Sequence, residues 1–172
     1  MFRDICQPIL FHTRHTVIPP RRPGTTPMEL ERALALCKER FLDVAMHPRL
    51  AHYVRSFVLM DQLKPAPHLE IRHLIERFQA SVPTHFVARL AAFVNLRSLR
   101  LYRISLLEEG RRALDALSLV DLQLNGCTIA SGRRLPLERL TVSSCFNETE
   151  VTSHEAEPSP LLIADPHTLQ AQ

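Results

Sequence analysis

A chain of 172 residues, 45% hydrophobic and 23% charged, is long enough for one domain with a real core and has the composition of a globular protein rather than a disordered one. Its 21 basic and 18 acidic residues leave a net charge of only +3, too small to mark a nucleic-acid binder. The four glycines, Gly24, Gly110, Gly126 and Gly132, are isolated and form no dinucleotide fingerprint or phosphate loop, and no apolar run approaches the ~20 residues needed to span a bilayer.

The first element is a short amphipathic piece from Met1 to Phe11, with Phe2, Ile5, Ile9, Leu10 and Phe11 apolar. Arg3, Asp4, Gln7 and Pro8 break it up too early for a signal peptide. Cys6, Cys37, Cys127 and Cys145 form no CxxC pair, so free thiols in the cytoplasm or nucleus are expected. Thr16 to Pro27 reads as a linker, because Pro19, Pro20, Pro23 and Pro27 favour extended backbone.

A helix follows. Thr26 caps it, Pro27 takes the first helical position and Glu29 completes a capping box. Leu30, Leu34, Cys37, Phe41 and Ala45 recur at helical spacing, and Pro48 ends the helix near Met46. Tyr53 to Met60 reads as a strand, His68 to Ala80 as a helix with Ile71, Leu74, Ile75 and Phe78 on one face, and Thr84 to Phe93 as a second short helix.

The most informative stretch is Leu96 to Cys145. Leu96, Leu99, Leu101, Ile104 and Leu106 have the spacing L-x-x-L-x-L-x-x-N/C-x-L, the signature of a leucine-rich repeat. Leu119, Leu122, Leu124, Cys127 and Ile129 repeat it in full. Leu137, Leu140, Val142 and Cys145 repeat four of its five positions, and Val54, Phe57 and Leu59 form a weaker early copy. A strand buries alternate side chains, the turn after it buries two more, and each unit needs a neighbour to cover it, so copies stack. Leu107, Arg111, Leu114 and Leu117 suit a returning helix, whereas the short interval from Ile129 to Leu137 suits only a loop. Three apolar segments would also suit ordinary strands of an α/β domain, but the repeated spacing favours stacking. The expected fold is α/β: a short, irregular leucine-rich-repeat-like solenoid with parallel strands and N-terminal helices. Its parts are residues 1–15, the proline-rich linker 16–27, the repeat-like domain 28–146, and an acidic tail with the start of an incomplete repeat over 147–172.

These pieces resemble the F-box proteins of mushroom-forming fungi that carry degenerate leucine-rich repeats. Phe2 to Phe11 looks like the end of an F-box, shortened at its N-terminal side. His47 to Phe57 is similar to the entry into a first repeat, Phe93 to Leu101 to a repeat strand, and Ile163-Ala164-Asp165-Pro166 with Thr168-Leu169 to a lead into further repeats. The resemblance implies a protein-interaction module derived from the substrate receptor of a cullin-type ubiquitin ligase, with a protein target and a ligase adaptor as partners. The alternatives are a repeat fragment without a ligase role and, less favoured, a hydrolase.

Chemical sites are not expected. No nucleophile, base and orienting carboxylate occur in a recognisable motif. His12 and His15 have no cysteine pair to complete a zinc site. Neither catalytic residues nor a metal or cofactor are therefore anticipated, and neither nucleic acid nor membrane is an expected partner. Cys127 and Cys145 hold the same repeat position, where a thiol fills a small slot and bonds weakly to the turn backbone. The expected partner surface is the concave strand face: Ser98, Arg100 and Tyr102; Asp121, Gln123 and Asn125; Arg139, Thr141 and Ser143. Arg100, Tyr102 and Arg139 are its best anchors, because Arg and Tyr contribute disproportionately to interfaces.

Overall fold

The computed structural model describes residues 9–64, 68–82, 86–130 and 135–147. In chain order it contains β1 (Thr13–Ile18), α1 (Pro27–Met46), α2 (Pro48–Ala51), β2 (Ser56–Asp61), α3 (Leu69–Val82), a 3-10 turn (Ala88–Ala92), β3 (Ser98–Tyr102) and β4 (Ser105–Leu106). After these come α4 (Glu108–Asp115), β5 (Asp121–Asn125), β6 (Thr128–Ile129), β7 (Arg139–Ser143) and β8 (Phe146–Asn147). The chain is mixed α/β. Five strands form one sheet in the order β1-β2-β3-β5-β7, and the short β4, β6 and β8 form a second. Every pairing is parallel.

Helix α1 starts where local chemistry dictates. The Thr26 hydroxyl accepts the Glu29 N–H at 3.3 Å, and the Glu29 carboxylate accepts the Thr26 N–H at 2.9 Å. The Thr26 N–H and the Thr26 hydroxyl, which donates to the same carboxylate at 3.0 Å, hold the Glu29 carboxyl below its usual range. The helix ends at Met46, and Pro48 opens the next short helix, as its fixed φ favours. Leu30, Leu34, Phe41 and Val44 turn inward.

Between the helices and the sheet lies an aromatic cluster. Phe41 meets Phe57 edge-on at 5.3 Å, and Phe57 stacks on Phe93 at 5.6 Å. Phe86 joins at 4.9 Å from Phe41. Further along, the core is a ladder of aliphatic side chains in register: Phe57, Leu99, Leu122 and Leu140 side by side, then Leu59, Leu101, Leu124 and Val142. The first three members of each row are buried. In the last strand Leu140 is half-buried and Val142 is 39% exposed, because β7 is covered by a described neighbour on one side only.

One backbone device recurs before β2, β3, β5 and β7. The carbonyl of His12 accepts the N–H groups of Arg55 and Ser56, and that of Arg55 accepts those of Arg97 and Ser98. Arg97 does the same for Val120 and Asp121, and Val120 for Glu138 and Arg139. The intervals between these positions shorten along the chain, so the returns are uneven: α1 with α2, then α3 with the 3-10 turn, then α4, then the stretch before β7. Strands β3, β5 and β7 are also each followed by a left-handed residue, Arg103 at φ 59, Gly126 at φ 62 and Ser144 at φ 51. Arg103 N–H then bonds to Asn125 O, and Gly126 N–H to Ser143 O, both at 2.8 Å. Glycine suits the middle of these turns twice over, since its φ is positive and a Cβ there would meet Arg103 Cγ at 3.3 Å.

Several expectations need adjusting. The segment read as a linker from Thr16 is in its first part the end of β1, and Ile18 is fully buried. The periodicity is silent there because Arg14 and Thr16 take the positions that leucines take in later strands. The strand expected over Tyr53 to Met60 begins at Ser56, after α2 and its turn. The short helix expected over Thr84 to Phe93 is a 3-10 turn through Ala88–Ala92, although Phe86, Val87, Leu90 and Phe93 are buried as the pattern requires. Residues 1–8 and 148–172, with the F-box-like start and most of the acidic tail, lie outside the described residues, as does most of the loop between Ile129 and Leu137.

Candidate interaction face

Strand alternation determines which side chains share a surface. With Leu99, Leu101, Leu122 and Leu124 buried against the helices, the residues between them emerge on the other side of the sheet. The register brings all nine expected residues into three rows. Ser98, Asp121 and Arg139 lie side by side; Arg100, Gln123 and Thr141 form the middle row; Tyr102, Asn125 and Ser143 form the third. Arg100, Arg139, Thr141 and Ser143 are exposed and the other five half-buried.

The face is wider than expected, because β1 and β2 extend each row. Thr13 and Ser56 continue the first, His15 and Val58 the second, Val17 and Met60 the third. The alternation around Phe57 and Leu59 contained the signal for the β2 residues; nothing in β1 offered one.

The character of the surface changes across the sheet. On the β1–β3 side Val17, Met60 and Tyr102 line up, and Val58 is nearly covered at 7% exposure. On the β5–β7 side the rows are amide, hydroxyl and charge. Asp121 is held by the Ser98 hydroxyl at 2.9 Å. Arg100 and Arg139 form no ion pair among the described residues, and strand spacing of about 4.8 Å sets them two strands apart. Such an arrangement offers two guanidinium forks on the same face as an aromatic ring.

Beyond the C-terminal ends of the strands lies a smaller polar cleft. Asp61, 3% exposed, accepts the Leu63 N–H at 2.8 Å and the Gln79 side-chain amide, and Arg103 donates to the Leu63 carbonyl at 2.7 Å. Burial pushes the Asp61 carboxyl up, against the opposing effect of those bonds and of the Arg103 charge. The group closes the turn after β2, and its bonds are spent on the backbone and on α3.

The cysteines behave as buried fillers. Cys127 donates to Leu101 O at 3.4 Å and lies near Asn125 O at 3.5 Å, while its N–H points to Cys145 Sγ at 3.4 Å. Cys145 donates to Ser143 O at 3.3 Å. Both are free thiols, and desolvation pushes Cys127 up to about 11. His12, His15, His47, His52, His68 and His73 are exposed, and no group of three or more His, Cys, Asp or Glu side chains that could hold a metal ion is found among the described residues. Nor, among those residues, is any helix long and apolar enough to cross a membrane.

Comparison with known proteins finds no family model, no curated protein and no solved structure that matches this chain.

Proposed function

We propose that the chain is a protein-interaction module, a short and irregular leucine-rich-repeat-like solenoid whose concave strand face seats a protein partner. The observation that carries this reading is the in-register array of Ser98, Arg100, Tyr102, Asp121, Gln123, Asn125, Arg139, Thr141 and Ser143 on one face of a parallel sheet. The recurring backbone hydrogen bonds and left-handed turns support a stack of related units, since each unit repeats the closure of the last. The working role is binding rather than catalysis, in the cytoplasm or nucleus. Descent from the substrate receptor of a cullin-type ubiquitin ligase rests on the resemblance of the sequence segments given above and on nothing further.

Two experiments separate the parts of this reading. Affinity capture with the full chain is compared with capture by an Arg100→Glu/Tyr102→Ala/Arg139→Glu variant of unchanged circular dichroism. A partner retained by the wild type and lost by the variant supports the face; equal retention refutes it. Co-expression with a fungal ligase adaptor tests the receptor role. Stable co-purification supports it, and failure of the folded chain to associate leaves a binding module without a ligase role.

A further inference from the structure

Among the described residues, the first strand of the sheet has a neighbour on one side only. His12 and Ile18 carbonyls bond to β2 residues, and in a parallel ladder alternate residues of a strand bond to the same neighbour. Residues 12, 14, 16 and 18 therefore serve β2, and Thr13, His15 and Val17 turn their N–H and C=O groups the other way. The Val17 carbonyl accepts the Cys37 thiol at 3.6 Å, as an edge-facing group would. No strand pairs with that edge among the described residues. Open edges are commonly blunted by inward charges, bulges or prolines; here Arg14 is turned inward within the strand, and Pro19 and Pro20 lie just beyond it, leaving Thr13, His15 and Val17 between them.

Beside this edge, between β1 and α1, lies a cavity of about 340 Å³, within the ~300–1,000 Å³ range of ligand clefts. Arg14, Val17, Leu36, Cys37 and Arg40 are among its lining, and no Asp or Glu is. Arg14 sits over the Phe11 ring at 5.4 Å, and neither arginine forms an ion pair among the described residues. Val17 and Leu36 are 42% and 45% exposed. The edge-facing backbone groups of Thr13 and His15, the exposed apolar surfaces of Val17 and Leu36, and two arginines with no carboxylate in the cavity lining match one kind of occupant.

We infer that the β1 edge captures an extended acidic peptide of a partner protein as an added strand. Backbone bonds to Thr13, His15 and the Val17 N–H fix its register, its carboxylates meet Arg14 and Arg40 on the α1 side of the sheet, and its alternate apolar side chains, pointing to the other side, rest on Val17. The site adjoins the far border of the strand face, sharing His15 and Val17 with it but none of Arg100, Tyr102 and Arg139, so variants at those three positions test the face without touching this edge.

The test uses the full chain and fluorescein-labelled hexapeptides of alternating valine and glutamate, or alternating valine and lysine, followed by fluorescence anisotropy. The glutamate peptide is expected to bind saturably below about 1 mM, and the lysine peptide not to bind. His15→Pro removes an edge-facing N–H without losing a ladder bond, a position proline tolerates in edge strands, and is expected to abolish binding. Arg40→Glu, a change at an exposed helix position, is expected to weaken it about tenfold. If His15→Pro does not fold, Arg40→Glu alone decides. No saturable binding of the glutamate peptide, equal binding of the lysine peptide, or unchanged affinity in the folded variants overturns the inference.

Discussion

Leu99, Leu122 and Leu140 occupy the same position in three neighbouring strands, but their burial differs. The first two are fully buried; Leu140 is half-buried on a strand with one described neighbour. Truncation to alanine removes three carbons, about 2.4 kcal/mol of transfer free energy at ~0.8 kcal/mol each. A cavity contribution brings fully buried leucines into the range of about 2–5 kcal/mol. Leu99→Ala and Leu122→Ala should each destabilise the protein by about 3 kcal/mol, and Leu140→Ala by about 1 kcal/mol, since much of its surface is already wet. Equilibrium urea unfolding followed by circular dichroism gives the three values, with the m-value showing whether the denatured state has changed. A loss at Leu140 equal to that at Leu122, or a loss at Leu122 below about 1 kcal/mol, would refute the inward ladder and its weaker burial at β7. Leu122→Arg should leave no cooperative transition, because it buries an unpaired charge in a protein only marginally stable.

Thr26→Ala removes the hydroxyl that accepts the Glu29 N–H and should lower stability by about 1 kcal/mol in the same urea assay, whereas Thr26→Ser should be nearly neutral. The Asp61 carboxyl is raised by burial, so the folded state binds its proton more tightly than the unfolded state does. Its penalty is complete above the folded-state value and relieved as the pH falls through it. The stability of the wild type relative to Asp61→Asn should therefore grow between neutral and acid pH, and a constant difference contradicts the assignment. The Cys127 thiol, pushed up to about 11 by desolvation, should resist iodoacetamide at pH 8 in the folded protein and react once urea unfolds it; mass spectrometry of the labelled peptides reads the difference.

The ladder was legible because burial of one face of each strand, repeated in neighbouring strands, forces apolar residues into a fixed alternating spacing. Leu96, Leu99, Leu101, Ile104 and Leu106 satisfy that spacing and are all buried. Helix α1 was legible from its cap, which is a local interaction and needs no tertiary context. β1 was hidden for the opposite reason. An edge strand covered partly by a helix tolerates Arg14 and Thr16 inward, and the prolines behind it resemble a linker. The nine face residues followed from alternation once the leucines were placed. The β1 edge and its cavity were not legible, because they depend on how α1 lies against the sheet.

The sheet face is tested most directly by site-specific photo-crosslinking. A photoreactive amino acid replaces Gln123, at the centre of the face, or Met28, 77% exposed on α1, and adducts are identified in cells of the source organism. A face that seats a partner gives one recurrent adduct from position 123 and none from position 28. The same adducts from both positions, or none from 123 with a folded chain, contradict binding through the strand face.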